Sequence, residues 1–284
     1  MKVAFIGTGV MGKPMALHLS DNGYDVSVYN RTFSKAQALE PKCKAYETIK
    51  EVVLDKDVIF TIVGYPKDVE EVYNEVMKYA KKGAILVDMT TSSPTLAVKL
   101  YDKAKALGLH MIDAPVTGGD LGAINATLSI MVGGDEDKFL KVKPLLETMG
   151  KTITYMGKEG SGQHAKLANQ TVIAGTIMGV AEALVYAKNK GLDLDDMLNV
   201  ITGGSANSWQ AVNNGKKMIL NDYEPGFYVK HFLKDLNLTM DEKGSLDLKI
   251  LENVRDAYQI LLNNGYGDTG TQSIIEYYLQ NMKK

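Results

Sequence analysis

A lysine stands where a helical pattern turns apolar. Residues 160–170 read GSGQHAKLANQ, and the run TVIAGTIMGVA follows without a break. A buried ammonium is expensive unless it has a partner or a task, so Lys166 is the first residue to weigh as a reactive group. Positions i, i+3 and i+4 of a helix share a face, which places Gly162, Lys166, Asn169 and Gln170 on one stripe. Gly162 would leave room beside the lysine, and the Asn169 and Gln170 amides could orient a substrate or the amine. Hydride addition to a carbonyl carbon leaves an oxygen that needs a proton. An ammonium can polarise that oxygen and then donate. Its ordinary pKa of about 10.4 would fall with partial burial beside a second cation. The bland alternative is a lysine snorkelling from a helix end.

A second group of residues could hold a phosphate. Residues 7–12 read GTGVMG, directly after the apolar strand VAFI and directly before a helix. In that setting Gly7 permits a tight turn, Gly9 lets the backbone approach a pyrophosphate, and Gly12 lets helix and strand pack. Thr8, Val10 and Met11 complete the loop, and the helix N-terminus faces the anion. A second strand ends near Tyr29, where NAD enzymes place an acid for the ribose 2′-hydroxyl. Here the residues are Asn30, Arg31 and Thr32, with no acid. Arg31 would pair with a 2′-phosphate, and Asn30 and Thr32 could hydrogen-bond it. The expectation is NADP(H). Val63, closing the run DVIFTIV, is taken with the cofactor-contacting set.

Two further loops follow strand-like runs. In DAPVTGGDLGA, Thr117, Gly118 and Gly119 offer a hydroxyl and two unhindered N–H groups, which suit a carboxylate. TGG is also a plain turn sequence. In DMTTSSP, Ser92 or Ser93 could cap a helix whose first residue is Pro94, and Thr91 is the residue to aim at the cofactor. His18, His110, His164 and His231 lack metal-ligand spacing and read as structural or surface, so no metal is expected. Trp209 could shape a pocket or pack in the core, and Asp235, beside Lys234, could pair with a cation.

These residues need elements to hold them. Short β-rich runs (VAFIG, DVSVYN, DVIFTIV, GAILVDM, HMIDAPV, LSIMVGG, TITYMG) alternate with amphipathic helical stretches up to about residue 157. That alternation predicts βαβ units and a mainly parallel sheet. Beyond it the pattern is helical, at roughly 162–190, 193–201, 208–221, 230–243, 249–264 and 271–281. The fold class is therefore a doubly wound α/β Rossmann-type domain, residues 1–160, followed by an all-α domain, residues 161–284, joined by the long helix that bears Lys166.

With 284 residues, 45% hydrophobic and 23% charged, the chain has ample material for two domains. A net charge of −2 argues against a nucleic-acid or membrane surface. The single cysteine, Cys43, excludes an internal disulfide. No leader is expected before MKVAFIG, the apolar stretch 171–181 reads as too short to span a bilayer, and residues 281–284 read as a solvated tail. A cytoplasmic setting is the default.

Taken together, VAFIGTGVMGKPMA, YNRT, DVEEV, DMTTSSP, DAPVTGGDLGA, GSGQHAKLANQ and FLKDLNL resemble the β-hydroxyacid dehydrogenase family, in order and spacing, over residues 3 to 238. That family includes 3-hydroxyisobutyrate dehydrogenases, tartronate semialdehyde (2-hydroxy-3-oxopropionate) reductases and glyoxylate/succinic semialdehyde reductases. The resemblance implies that Lys166 is the catalytic lysine and that Thr117, Gly118 and Gly119 form the substrate loop, where serine is commoner than threonine. It implies that Asn169 is the first of two amides after the lysine, with Gln170 where many members have a second asparagine. Thr91 and Lys234 match cofactor-contacting positions. The resemblance further implies an active site between the two domains, a small carboxylate or aldehyde substrate, and a homodimer or homotetramer built through the helical domain. The rivals are 6-phosphogluconate dehydrogenase, which is much longer, imine reductases, which typically lack the lysine, and non-catalytic NADP-binding relatives, which replace it.

Overall fold

The computed structural model describes residues 1–282; Lys283 and Lys284, expected as part of the solvated tail, lie outside the described residues. Two compact units divide the chain, Met1–Lys166 and Leu167–Lys284.

In the first unit strands and helices alternate. β1 (Lys2–Ile6) is followed by α1 (Gly12–Asp21), β2 (Asp25–Tyr29), α2 (Phe33–Gln37), β3 (Lys44–Tyr46), α3 (Ile49–Val53), β4 (Val58–Thr61) and α4 (Pro66–Tyr79). Then come β5 (Ile85–Asp88), α5 (Pro94–Ala106), β6 (His110–Asp113), β7 (Val116–Thr117), α6 (Gly119–Ile124), β8 (Leu128–Gly134), α7 (Glu136–Leu146) and β9 (Gly150–Gly157). They form one sheet in the order β3-β2-β1-β4-β5-β6-β8, with β7 and β9 both paired to β8. Strands β1 to β6 pair in parallel, whereas β8 runs antiparallel to β6 and β7. This is the doubly wound arrangement, in which the parallel strands send their C-terminal ends to one edge.

The strands read as near-continuous apolar runs because both faces are covered. Successive side chains point to opposite faces. Val3, Phe5, Val28, Phe60 and Val87 enter the core on one side, while Ala4, Ile6, Ile59 and Leu86 enter the core on the other. Helix starts follow local chemistry. Ser93 accepts a hydrogen bond from the Leu96 N–H, with Pro94 as the first helical residue of α5, as the sequence suggests. Strand β3, of three residues, is too short to show a period and was not expected, and the run HMIDAPV divides into β6 and the two-residue β7.

The second unit is helical, apart from an isolated bridge between Tyr228 and Gly270. It contains most of α8 (Ser161–Asn189), then α9 (Leu194–Gly203), α10 (Trp209–Leu220), α11 (Val229–Glu242), α12 (Lys249–Asn263) and α13 (Ile275–Met282). The helix expected at 271–281 starts as a 3-10 turn, Thr271–Ile274, before α13. Ala174, Ile177, Ala181 and Leu184 of α8 share a core with Phe232, Leu236, Tyr258 and Leu261. Taken over its whole length, α8 is long and apolar enough to cross a membrane, so the shortness of 171–181 does not by itself argue against a span. One face of it is buried in this core, which covers 39% of its most apolar stretch.

Candidate active site

The site begins at the turn after β1. Gly7 has φ +98°, and a Cβ there would fall on the Ile62 carbonyl; a Cβ on Gly12 would fall on the Gly7 carbonyl. Turn, neighbouring strand and helix start are therefore packed backbone to backbone. In front of Gly9 nothing lies within 4 Å of a built Cβ. The buried Thr8 hydroxyl has no hydrogen-bond partner among the described residues. The first turn of α1 has no acidic residue and no side-chain cap. Open space, an unsatisfied hydroxyl and uncapped N–H groups fit a pyrophosphate.

The residues after β2 divide their tasks. Asn30 Oδ1 accepts the Thr8 N–H at 3.0 Å and Asn30 Nδ2 donates to the Thr32 carbonyl at 3.1 Å, so Asn30 shapes the loop. The Arg31 side chain is 89% exposed, with Nη1 3.6 Å from Asp68 Oδ1. Val10 is exposed and Met11 half-buried. Val63, also half-buried, donates its N–H to Thr90 Oγ1 at 3.0 Å.

Beneath this edge lies a buried carboxylate. Asp88, at the end of β5, accepts from the Thr61 hydroxyl at 3.1 Å and from the Thr90 N–H at 3.0 Å, and Thr61 Oγ1 also meets Tyr73 Oη at 2.6 Å. Burial pushes the Asp88 carboxyl up to about 6, with a smaller push from Asp113, its register partner on β6. Folded Asp88 thus keeps its proton to about pH 6, whereas the unfolded chain releases it near 3.8. Between those values the native state binds more protons, and stability falls as pH rises. Asp88→Asn keeps both accepted bonds and abolishes the titration. The variant should gain on the parent as pH rises through this window, by up to about 3 kcal/mol at neutral pH. Urea unfolding at about pH 4 and about pH 8 reads the difference; a gap independent of pH would mean that Asp88 is ionised throughout.

The next strand end receives α8. Asp113 closes β6, and its Oδ1 and Oδ2 accept the N–H groups of Gly160 and Gln163, each at 2.8 Å. Burial raises the Asp113 carboxyl, and these backbone N–H groups oppose the rise. The Gln163 side chain reaches the loop after β5: Oε1 accepts the Ser92 N–H at 2.9 Å and Nε2 donates to the Thr90 carbonyl at 2.8 Å. Lys166 follows one turn later and is 6% exposed. Gly162 does not leave room beside it. A Cβ on Gly162 would stand 2.5 Å from the Met131 carbonyl and 2.6 Å from that of Asp113; the glycine is needed because the helix start abuts two strands. Thr91 is half-buried in the same loop as Thr90 and Ser92. Thr117 lies in β7, and Gly118 and Gly119 turn the chain into α6 with positive φ.

In the second unit, Asn169 Nδ2 donates to Gln170 Oε1 at 3.1 Å, and Gln170 Nε2 donates to Asp235 Oδ2 at 2.7 Å. Gln170 is 1% exposed. The Lys234 ammonium stands 3.2 Å from Asp235 Oδ1, an ion-pair distance without hydrogen-bond geometry, since Oδ1 accepts no hydrogen bond. Trp209, weighed for a pocket or the core, is exposed at the start of α10, so core packing does not hold it. His18 has a structural role, with Nε2 3.0 Å from the carbonyls of Ala123 and Ile124. Among the described residues no group of three His, Cys, Asp or Glu could hold a metal. Asp113 and Gln163 are the residues that sequence reasoning missed.

Comparison with known proteins agrees with this arrangement. A family profile described as the NAD binding domain of 6-phosphogluconate dehydrogenase matches residues 2–157. A second, described as NAD-binding of NADP-dependent 3-hydroxyisobutyrate dehydrogenase, matches residues 160–278. The chain is 45% identical to the uncharacterized oxidoreductase YkwC of Bacillus subtilis, over 98% of this chain and 99% of that one. It is 39% identical to the 2-hydroxy-3-oxopropionate reductase of Escherichia coli, over 88% and 87%. Among solved structures, the Mycobacterium tuberculosis 3-hydroxyisobutyrate dehydrogenase with L-serine is similar at a TM-score of 0.89 and 31% identity, over 97% and 98%.

Proposed function

The chain belongs to the β-hydroxyacid dehydrogenase family of NAD(P)-dependent oxidoreductases, and from that premise we propose that it is an NADP(H)-dependent reductase of a short semialdehyde or glyoxylate. The observation that supports this most is Lys166, buried where α8 meets the strand edge onto which the glycine loop also opens. When bound, the nicotinamide would supply the hydride. Gly7, Thr8, Gly9, Val10, Met11 and Gly12 would take the pyrophosphate, Arg31 would take the 2′-phosphate, and Val63, Thr91 and Lys234 would line the remainder.

The chain's own residues do the rest. The Lys166 ammonium polarises the carbonyl oxygen and donates a proton to it as the carbon is reduced. In the reverse direction the neutral amine takes that proton back. Thr117 Oγ1, the N–H groups of Gly118 and Gly119, and the Asn169 amide hold the substrate carboxylate. Gln170 serves through Asn169, to which it is bonded. The assembly is a cytoplasmic homodimer or homotetramer built through the helical unit, where Val172, Tyr186, Trp209, Val212, Leu220 and Ile250 are exposed; light scattering at the mass of one 31.1 kDa chain would count against it.

The test is NADPH oxidation against tartronate, methylmalonate and succinic semialdehydes and glyoxylate, repeated with NADH. Turnover of one of them, faster with NADPH, is the expected result. A methylene in an apolar pocket changes binding by about 1–3 kcal/mol, so one substrate should lead the panel by roughly tenfold or more. Silence across the panel, with NADPH binding intact, would move the function to a bulkier carbonyl, an imine or a binding role.

A further inference from the structure

The first turn of α8 cannot cap itself. Its N-cap position is Gly160, which has no side chain, and the cap is supplied by Asp113 from the end of β6 through the Gly160 and Gln163 N–H groups. Gln163, with no solvent exposure, spends both ends of its amide on the loop after β5. Its oxygen takes the Ser92 N–H and its nitrogen meets the Thr90 carbonyl, so the two bonds bracket Thr91. Behind this lattice the backbone leaves no slack: a Cβ on Gly133 would stand 2.6 Å from Asp113 Oδ1 and 2.7 Å from the Gly162 nitrogen.

We propose that Gln163 is a positioning residue for the reaction, which together with Asp113 fixes the start of α8 against the loops after β5 and β6 and thereby sets where the Lys166 ammonium stands. This rests on Lys166 as the proton donor. The argument is one of register. Gln163 and Lys166 are three residues apart, neighbours on one helix face. A slip of α8 by one residue would advance the lysine about 1.5 Å and rotate it by about 100°. Misplacing a reacting group by 1 Å lowers the rate about 100-fold. Gln163 is also the bond between the segment bearing the proton donor and the segment bearing Thr91, so both are located by one buried amide.

The test is Gln163→Met, which keeps side-chain length and removes both bonds. Gln163→Glu, which keeps the acceptor for Ser92 and loses the donor to Thr90, stands in should the first variant not fold. Turnover counted per NADPH-binding site should fall about tenfold or more in the methionine variant and less in the glutamate variant, with NADPH affinity within about threefold of the parent. The deuterium isotope effect from labelled NADPH should rise as hydride transfer becomes limiting. A second readout does not need activity: the ¹³C signal of reductively methylated Lys166, assigned by its loss in Lys166→Arg, should move and titrate at a different pH. A purely structural role would lower the melting temperature and the number of NADPH sites, and leave turnover per site and the Lys166 titration unchanged; that result overturns the proposal. A parent that is inactive on the panel and on bulkier carbonyls and imines defeats the proton-donor reading instead, and the ¹³C titration then decides the positioning role alone.

Discussion

Lys166→Ala should lower turnover by about 10²- to 10⁴-fold, the range for losing a positioned general acid, while NADPH binds within a few-fold of the parent. The lysine is buried, so bulk water cannot take over its proton delivery at a comparable rate. The glycine loop and Arg31 lie at the ends of β1 and β2 and do not depend on its side chain. The loss should appear in kcat and in kcat/KM alike, because polarisation of the oxygen grows as charge develops in the transition state. Lys166→Arg is the sharper control. It keeps the positive charge, but a guanidinium does not release a proton in the working pH range. It should therefore remain far below the parent, although Coulomb attraction alone would predict recovery. Steady-state rates at saturating NADPH, with fluorescence titration of cofactor binding, decide the matter; turnover within threefold of the parent in the alanine variant would remove Lys166 from the proton path.

What could be seen in the sequence was what local pattern determines. The glycine loop is a set of backbone contacts within a few residues, so GTGVMG between a strand and a helix names its own geometry. The doubly wound sheet followed from apolar runs alternating with amphipathic ones. Lys166 stood out because a long apolar run follows it on the same helix. The residues that fasten it did not stand out, because their partners are remote: Gln163 bonds Ser92 across 71 residues and Asp113 across 50. Nothing in the spacing of DAPV marks its aspartate as the cap of a helix, and the missing signal was the absence of a capping side chain at Gly160. Gly162 was misread for the same reason. A glycine on a helix face can mean space for a neighbour or the want of it, and only the carbonyls of Met131 and Asp113 tell which. Gln170 is similar: its amide suits a substrate, yet the partner that occupies it, Asp235, comes from another helix.

The same division of labour sharpens the second large effect. Of the three residues after β2, Asn30 is committed to the loop through Thr8 and Thr32, which leaves Arg31 as the charged group available to a 2′-phosphate. Its contact with the half-buried Asp68 is long at 3.6 Å and leaves the arginine 89% exposed, and a surface pair of this kind contributes about 0–1 kcal/mol. A guanidinium–phosphate pair is charge-assisted and can be bidentate, so the phosphate should displace Asp68 readily. Arg31→Asp removes that pair, a loss of about 1.5–3 kcal/mol or roughly 10- to 100-fold. It also sets a second carboxylate beside Asp68, which repels the phosphate further. For NADH the sign reverses, since an acid at this strand end can accept a hydrogen bond from the ribose 2′-hydroxyl. The ratio of kcat/KM for NADPH to that for NADH should therefore fall by about 10²-fold or more, most of it through the NADPH value. Raising the salt concentration should weaken NADPH binding in the parent more than in the variant, because the lost interaction is ionic and exposed. A ratio that stays within threefold of the parent would make Arg31 an ordinary surface arginine and transfer the choice of cofactor to groups outside the β2 loop.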